Sequence, residues 1–436
     1  MTHRASNKHS AVLAAIALWL VTLNDAIAED SIAPNIVLIV ADYMGYADIG
    51  PYGGTDVQTP SLESLARSGA RFSNYYAASP VCGPSRAALL SGFYPARIGM
   101  ERNVAADRGG LSASDSTLIR ELKAAGYRTA MVGKWHLGRA HGYSPLSHGF
   151  DEFFGFHSWT LGYHDHRTSA GDPGLYRGEA LVSEDGYLTE VFTSEATRFV
   201  AKNAGNPFFL YLAYNVALPP YQPPDLPESE WSSGWDANDA TREDYVAMVE
   251  AMDSGIGKLL SQLDALSLLE DTLVIFTYDH GGRHLARSEP LFHGFGTLWE
   301  GGIRVPLLMM WRGQFVAGQT ISRPTIAMDL TSTILAATGR DVDALQLDGS
   351  SLLPLLRNES DVAADTLFWR FDVQGDSMKA VRRDNWKYIV DRSTQMVFDL
   401  DSDPGERRNL FSERTDVANQ LRKALRDWED SFVSSE

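Results

Sequence analysis

The chain reads as an α/β protein with a large, mostly parallel central sheet sandwiched by helices, followed by a small C-terminal α+β subdomain. Three observations predict this. The runs 35–41, 208–213 and 272–278 are continuously apolar, as strands buried on both faces of a parallel sheet are. Stretches of helical period lie between them, so strands and helices alternate. Beyond Asp348-Gly-Ser-Ser-Leu-Leu-Pro354 the pattern changes to short strands in succession and one amphipathic helix. A length of 436 residues accommodates one large domain with a smaller appendage.

The N-terminus stands apart from the fold. Arg4 and Lys8 precede the apolar run 11–23, and Ala26-Ile27-Ala28 follows. A basic segment, an apolar segment and small residues at a cleavage site predict a signal peptide cut after Ala28. The apolar run is short for a membrane span. The expectation is an exported protein, periplasmic or secreted, with no stable membrane anchor. The expected divisions are 1–28 as leader, 29–347 as main domain and 348–436 as C-terminal subdomain. The formal net charge is −18, and because Arg4, Lys8 and Asp25 give the leader +1, the remainder carries −19. Such a surface argues against nucleic acid and anionic membranes as partners. Any anionic substrate needs a local cationic pocket.

The first strand, 35–41, ends in Asp42-Tyr43-Met44-Gly45. Ligands of open α/β sheets collect at the carboxyl ends of strands, so Asp42 is either a metal ligand or a cap for the next element. Thr59-Pro60 opens a helix that closes at Gly69. Cys82 is the only cysteine, in Cys82-Gly-Pro-Ser-Arg86, and an unpaired thiol in an exported protein is either buried or used. Pro84 predicts a shaped turn and Ser85 a helix cap, with the helix running on from Arg86. A helix at 115–126 leads to a strand at 127–132, then Gly133-Lys134-Trp135-His136-Leu137-Gly138. Lys134 and His136 alternate, so both point to one side and suit an oxyanion clamp.

The irregular stretch 157–187 holds His157, His164, His166 and Arg167 and reads as a substrate-side loop. The strand at 208–213 runs into Asn215-Val-Ala-Leu218-Pro-Pro220, and a helix spans 243–269. The strand at 272–278 ends in Asp279-His280-Gly-Gly, repeating the arrangement at Asp42. A turn at Glu300-Gly-Gly-Ile-Arg304, a strand at 307–311 and a helix at 329–339 complete the main domain. Short strands near 367–370, 379–382, 386–390 and 395–399 follow, with a helix carrying Val417, Leu421, Leu425, Trp428 and Phe432 on one face.

The run from Cys82 to Arg86 followed by Ala-Ala-Leu-Leu-Ser-Gly92, the GKWHLG loop and the EGGIRVP segment together resemble the type I, formylglycine-dependent sulfatases of the alkaline-phosphatase superfamily. The resemblance spans essentially the whole chain after the leader. It implies an alkaline-phosphatase-like fold and a sulfuric ester hydrolase of the arylsulfatase or carbohydrate sulfatase kind. In that family a maturase converts the cysteine to formylglycine, whose hydrate attacks the sulfate ester. Carried over, it assigns Cys82 as formylglycine precursor, supported by Arg86, with Lys134 and His136 at the nucleophile or sulfate. Asp42, Cys82, Asp279 and His280 form the implied metal set, with Ca²⁺ ahead of Mg²⁺ or another divalent ion. The implied partners are a sulfated small molecule or glycan and the maturase.

Four positions depart from the family pattern. Tyr43 stands where a second aspartate is usual, His280 where asparagine is common, Leu218 at a usual histidine and Phe295 at a usual lysine. These changes remove an anionic ligand, a proton donor to the leaving group and a cation for the sulfate. They keep open a phosphate or phosphonate monoester hydrolase, or a degenerate fold that binds sulfated glycans without cleaving them. Arg283, His284 and His293 lie nearby in sequence as possible replacements.

Overall fold

The protein is described by a computed structural model covering residues 33–433 except 106, 232, 360–365 and 374–375. The leader expected at 1–28 lies outside the described residues. Among the described residues no helix is long and apolar enough to cross a membrane.

The elements run β1 (Asn35–Ala41), α1 (Pro60–Ser68), β2 (Ala70–Phe72), β3 (Tyr75–Tyr76), α2 (Cys82–Ser91), α3 (Thr117–Ala124), β4 (Arg128–Lys134) and β5 (Glu152–Phe156). Then come β6 (Tyr176–Arg177), β7 (Ala180–Leu181), α4 (Leu188–Lys202), β8 (Phe208–Ala213), α5 (Arg242–Ala265), β9 (Thr272–Tyr278), α6 (Glu300–Ile303), β10 (Leu307–Met310) and β11 (Gln319–Ile321). The chain closes with β12 (Thr325–Ile326), α7 (Ala327–Ala337), α8 (Leu353–Leu356), β13 (Leu367–Val373), β14 (Asp376–Arg383), β15 (Trp386–Asp391), β16 (Thr394–Asp399) and α9 (Thr415–Val433).

Ten strands form one sheet in the order β11-β2-β10-β9-β1-β8-β4-β5-β6-β7. The central five, β9-β1-β8-β4-β5, are all parallel. Every residue of β1, β8 and β9 is buried, which explains why those runs are apolar without alternation. Antiparallel β10 lies beside β9, and β6 and β7 continue antiparallel beyond β5. Parallel register brings the carboxyl ends of β1, β4, β8 and β9 to one edge.

The C-terminal strands pair as an antiparallel meander, β13 to β16. Its two faces follow the two-residue period of a strand. Val381, Tyr388 and Val397 pack under Val417, Leu421 and Leu425 of α9. Trp369, Ala380, Ile389 and Phe398 face the other way, onto Tyr76, Leu298 and Ile303 of the main body.

One expectation is corrected here. The helix after the cysteine starts at Cys82 itself, with extended Val81 as its cap and no side-chain cap bond. Ser85 lies inside the helix and donates its hydroxyl to Asp279 O at 2.5 Å. Pro84 is accommodated because the N–H groups of a first helical turn have no intrahelical acceptor.

Candidate functional site

Three strand ends and one helix start build the site. Asp42 follows β1, and Asp279 follows β9 and donates its N–H to Ala41 O at 3.1 Å. Ala41 and Tyr278 are in register, so the two carboxylates emerge side by side. Lys134 is the last residue of β4. Before it, Gly133 has φ +107°, and a Cβ there would lie 2.0 Å from Ala213 O, so a side chain would push β4 off β8. The start of α2 supplies Cys82 and, one turn on, Arg86.

Arg86 is fully buried and organises the cluster. Its Nε donates to Asp279 Oδ2 at 2.9 Å, one Nη to Asp42 Oδ2 at 3.1 Å and the other to Lys134 O at 2.8 Å. Lys134 Nζ pairs with Asp42 Oδ2 and reaches Cys82 Sγ at 3.3 Å. With both Oδ2 atoms engaged, the Oδ1 atoms of Asp42 and Asp279 face His280 Nε2 at 3.5 and 3.4 Å. That nitrogen lies 3.0 Å from Cys82 Sγ. His280 Nδ1 donates to Gly281 O at 2.9 Å, which orients Nε2 toward the cluster.

The charges are strongly coupled. Burial opposes ionisation of Asp42, but Lys134 and Arg86 outweigh it and hold the carboxyl at about 2. Burial and the neighbouring Asp42 charge push Asp279 up. Burial would lower His280, yet Asp279 and Cys82 raise it to about 10. Burial likewise disfavours the Lys134 ammonium, and Asp42 and Cys82 reverse that, so it is held charged. His136 moves the other way: burial, then Lys134 and Arg86, push it well below 6.5, leaving a neutral imidazole. Its backbone is left-handed at φ 56°, and its buried Nδ1 has no hydrogen-bond partner.

Arg86 and Lys134 join the four residues of the implied metal set, while His136 feels the cluster through its charges alone. The four donor atoms of Asp42, Cys82, Asp279 and His280 lie within 4.8 Å of one another, and all four residues are buried. The loop histidines are spent elsewhere. His164 Nε2 meets Pro223 O at 2.9 Å and stacks on Trp231, while His166 Nε2 meets Gly186 O at 3.0 Å. His157 packs between Phe153 and Tyr176, and Arg167 donates to Gly171 O.

Two further residues, both asparagines, stand near the site. Asn103 Oδ1 accepts from Gly83 N at 2.8 Å, steadying the start of α2, and nothing in its sequence context marks it. Asn215 follows β8 between the ends of β1 and β4, with both amide atoms buried and unpartnered. Its position just past a buried strand repeats that of Asp42 and Asp279, which is a readable signal.

A sequence profile described as Sulfatase matches residues 34–340, and one described as N-sulphoglucosamine sulphohydrolase, C-terminal, matches 292–431. The chain belongs to the sulfatase family. Bovine arylsulfatase A is 32% identical, over 95% of this chain and 90% of its own. Mouse steryl-sulfatase is 30% identical over 87% of this chain and 79% of its own. Among solved structures, that of Ps i-CgsB in complex with k-i-k-neocarrahexaose superposes with a TM-score of 0.83 at 32% identity, covering 91% of this chain and 92% of that one. The protein is thus a sulfatase-family hydrolase with the alkaline-phosphatase-like fold.

Sulfatases generally use a metal and a formylglycine, and the residues present fit a divalent ion. Asp279 Oδ1 is buried without a hydrogen-bond partner, and it and Asp42 Oδ1 face the same point as His280 Nε2. The pair of carboxylates that draws a proton onto His280 also attracts a dication, which would displace that proton. Each carboxylate has one oxygen committed to Arg86, so each offers the ion one oxygen. Tyr43 supplies no third carboxylate and lies against Phe295, ring centroids 4.9 Å apart.

Proposed function

We propose that this sulfatase hydrolyses a sulfate ester on a carbohydrate or aryl alcohol, using formylglycine formed from Cys82. The observation that carries the reading is the convergence of Lys134 Nζ and His280 Nε2 on Cys82 Sγ, at 3.3 and 3.0 Å. In the mature protein Sγ stands for the oxygens of the hydrated aldehyde. Formylglycine would supply a nucleophilic oxygen and the metal a Lewis acid toward a sulfate oxygen.

The chain's own residues do the rest. Asp42, Asp279 and His280 would hold the ion, with Ca²⁺ favoured by the hard oxygen donors and its remaining positions left to water and substrate. Arg86 holds both carboxylates in place. Lys134, kept charged by Asp42, faces the nucleophile and opposes negative charge that develops there. Neutral His136 is suited to accept or donate a proton beside it. Three further readings belong to the same proposal: export after cleavage at Ala28, a maturase acting on Cys82, and a subdomain boundary near residue 348.

Mass spectrometry of the peptide carrying Cys82, from the native host, tests the proposal. Conversion to formylglycine lowers its mass by about 18 Da. That shift, with release of sulfate from an arylsulfate or sulfated sugar, is the expected result. An unmodified thiol in cells with an active maturase rejects it, and turnover of phosphonate monoesters alone moves the protein to a sister chemistry.

A further inference from the structure

Beside the buried centre lies an open cleft of ≈ 630 Å³, within the usual size range of ligand sites. Its wall is the loop that follows the metal-set residue His280. Phe295 separates the two spaces. Its ring centroid lies 4.9 Å from those of both Tyr43 and His280, and its N–H donates to Gly282 O at 2.9 Å. The loop is folded tightly on itself here, since a Cβ on Gly294 would lie 2.1 Å from Gly282 O.

The cleft is cationic in a strongly acidic protein. The guanidiniums of Arg283 and Arg407 line it, with the imidazoles of His284 and His293, against one carboxylate, Glu289. Among the described residues, none of those four side chains forms an ion pair. Arg86 and Arg304, by contrast, are committed, the first to Asp42 and Asp279 and the second to Glu300. His284 and His293 both have left-handed backbone, at φ 58° and 62°, a costly conformation that the surrounding loop enforces. Phe292, next in the chain to the lining residue His293, is 41% exposed and packs against His293 and Trp299, offering an apolar face there. Arg407 comes from the turn after β16, so the C-terminal subdomain contributes to the cleft.

We infer that this cleft is a second anion subsite, which takes a sulfate or carboxylate on the sugar unit adjoining the one that is desulfated. The inference rests on the sulfated-glycan reading above and narrows it to substrates with at least two anionic groups. Guanidinium groups bind either anion by paired, charge-assisted hydrogen bonds, and the exposed Phe292 ring suits the apolar face of a sugar. Arg283 lies three residues beyond His280, on the loop that leads from the buried centre into the cleft. Phe295 then acts as a partition: it removes a cation from the centre while the cations beyond it hold the substrate's second charge.

The test uses the full chain carrying Cys82→Ala, so that bound ligand is not consumed. Calorimetric titration compares a singly sulfated disaccharide, its doubly sulfated form, and a singly sulfated disaccharide bearing a uronate. The second anion is expected to tighten binding about tenfold or more, and the larger gain identifies sulfate or carboxylate as its preferred form. Arg407→Ala and Arg283→Gln, each made in that background and each at an exposed position, are expected to erase most of that gain. Equal affinity for singly and doubly charged ligands, or a gain that survives both substitutions, overturns the subsite and leaves the sulfatase reading standing. Failure of every sulfated ligand to bind overturns the sulfated-glycan reading and the subsite with it.

Discussion

Tyr43 and Phe295, far apart in the chain, meet in one aromatic cluster with His280. Tyr43 is 6.0 Å from His280 edge-on, and Phe295 is 4.9 Å from each of the other two rings. Two departures from the family pattern are therefore one change in space: an anion and a cation give way to a packed apolar pair. Burial pushes the Tyr43 hydroxyl up to about 12, so it is a neutral group at physiological pH. Tyr43→Asp alone should tighten calcium binding by adding a carboxylate, yet lower stability by about 1–3 kcal/mol because that charge faces a ring and Asp42. Adding Phe295→Lys should recover much of the loss, with a coupling of about 1 kcal/mol or more. Calcium titration and thermal melts of the two singles and the double check this. Additive effects would show that the two positions act separately.

At the scale of elements, the meander is pinned to the main body by a buried charge network. Lys387 of β15 lies 2.8 Å from Glu300 Oε1 at the start of α6 and 2.9 Å from Glu406 Oε1. Glu406 Oε2 also accepts from Glu300 N at 2.6 Å, and Tyr76 donates its hydroxyl to Glu300 Oε2. Two acids share one lysine, and their proton affinities separate. Burial opposes ionisation of Glu300, but Lys387 and Arg304 overcome it and hold it at about 2. Burial pushes Glu406 up to about 7 from 4.5, Lys387 opposing and Glu300 adding to the rise. A raised folded-state pKa means that the folded protein keeps a proton the unfolded chain has lost. That part of the stability is present at low pH and is lost as pH climbs from 4.5 toward 7. Glu300 acts in a lower window, contributing above 4.5 and fading toward 2. Glu406→Gln should therefore flatten the fall in melting temperature between about pH 5 and 7, where Glu300 does not titrate. Melts across that range decide it, and an unchanged slope would remove Glu406 as the cause. None of this network was legible beforehand. Lys387 sits in a short strand and Glu406 in a turn, where charged residues ordinarily face water.

For the whole molecule, the described residues from Pro34 onward form a single compact unit. The inner face of the meander shares an apolar cluster with Tyr76, Leu298, Ile303 and Met328, and Trp369 Nε1 donates to Ala77 O at 2.9 Å. The apolar cluster holds residues from both sides of the boundary expected near residue 348. Calorimetry should accordingly show one unfolding transition with matching calorimetric and van't Hoff enthalpies. Two separated transitions would make the C-terminal part an independent domain.

The central sheet and the inner site were open to sequence reading because local rules govern both. A strand buried on both faces must be apolar throughout, and the residue after it emerges at the ligand-bearing edge. Asp42, Lys134 and Asp279 are therefore visible as punctuation after β1, near the end of β4 and after β9. The Cys82–Arg86 signature is contiguous, so the resemblance needs no folding to be seen. Contacts between distant segments follow no such rule. Only the tertiary structure joins Tyr43 to Phe295, commits one oxygen of each carboxylate to Arg86, and brings Arg407 of the C-terminal subdomain to the loop of Arg283. Those pairings arise from packing across the sheet edge, where spacing along the chain carries no information.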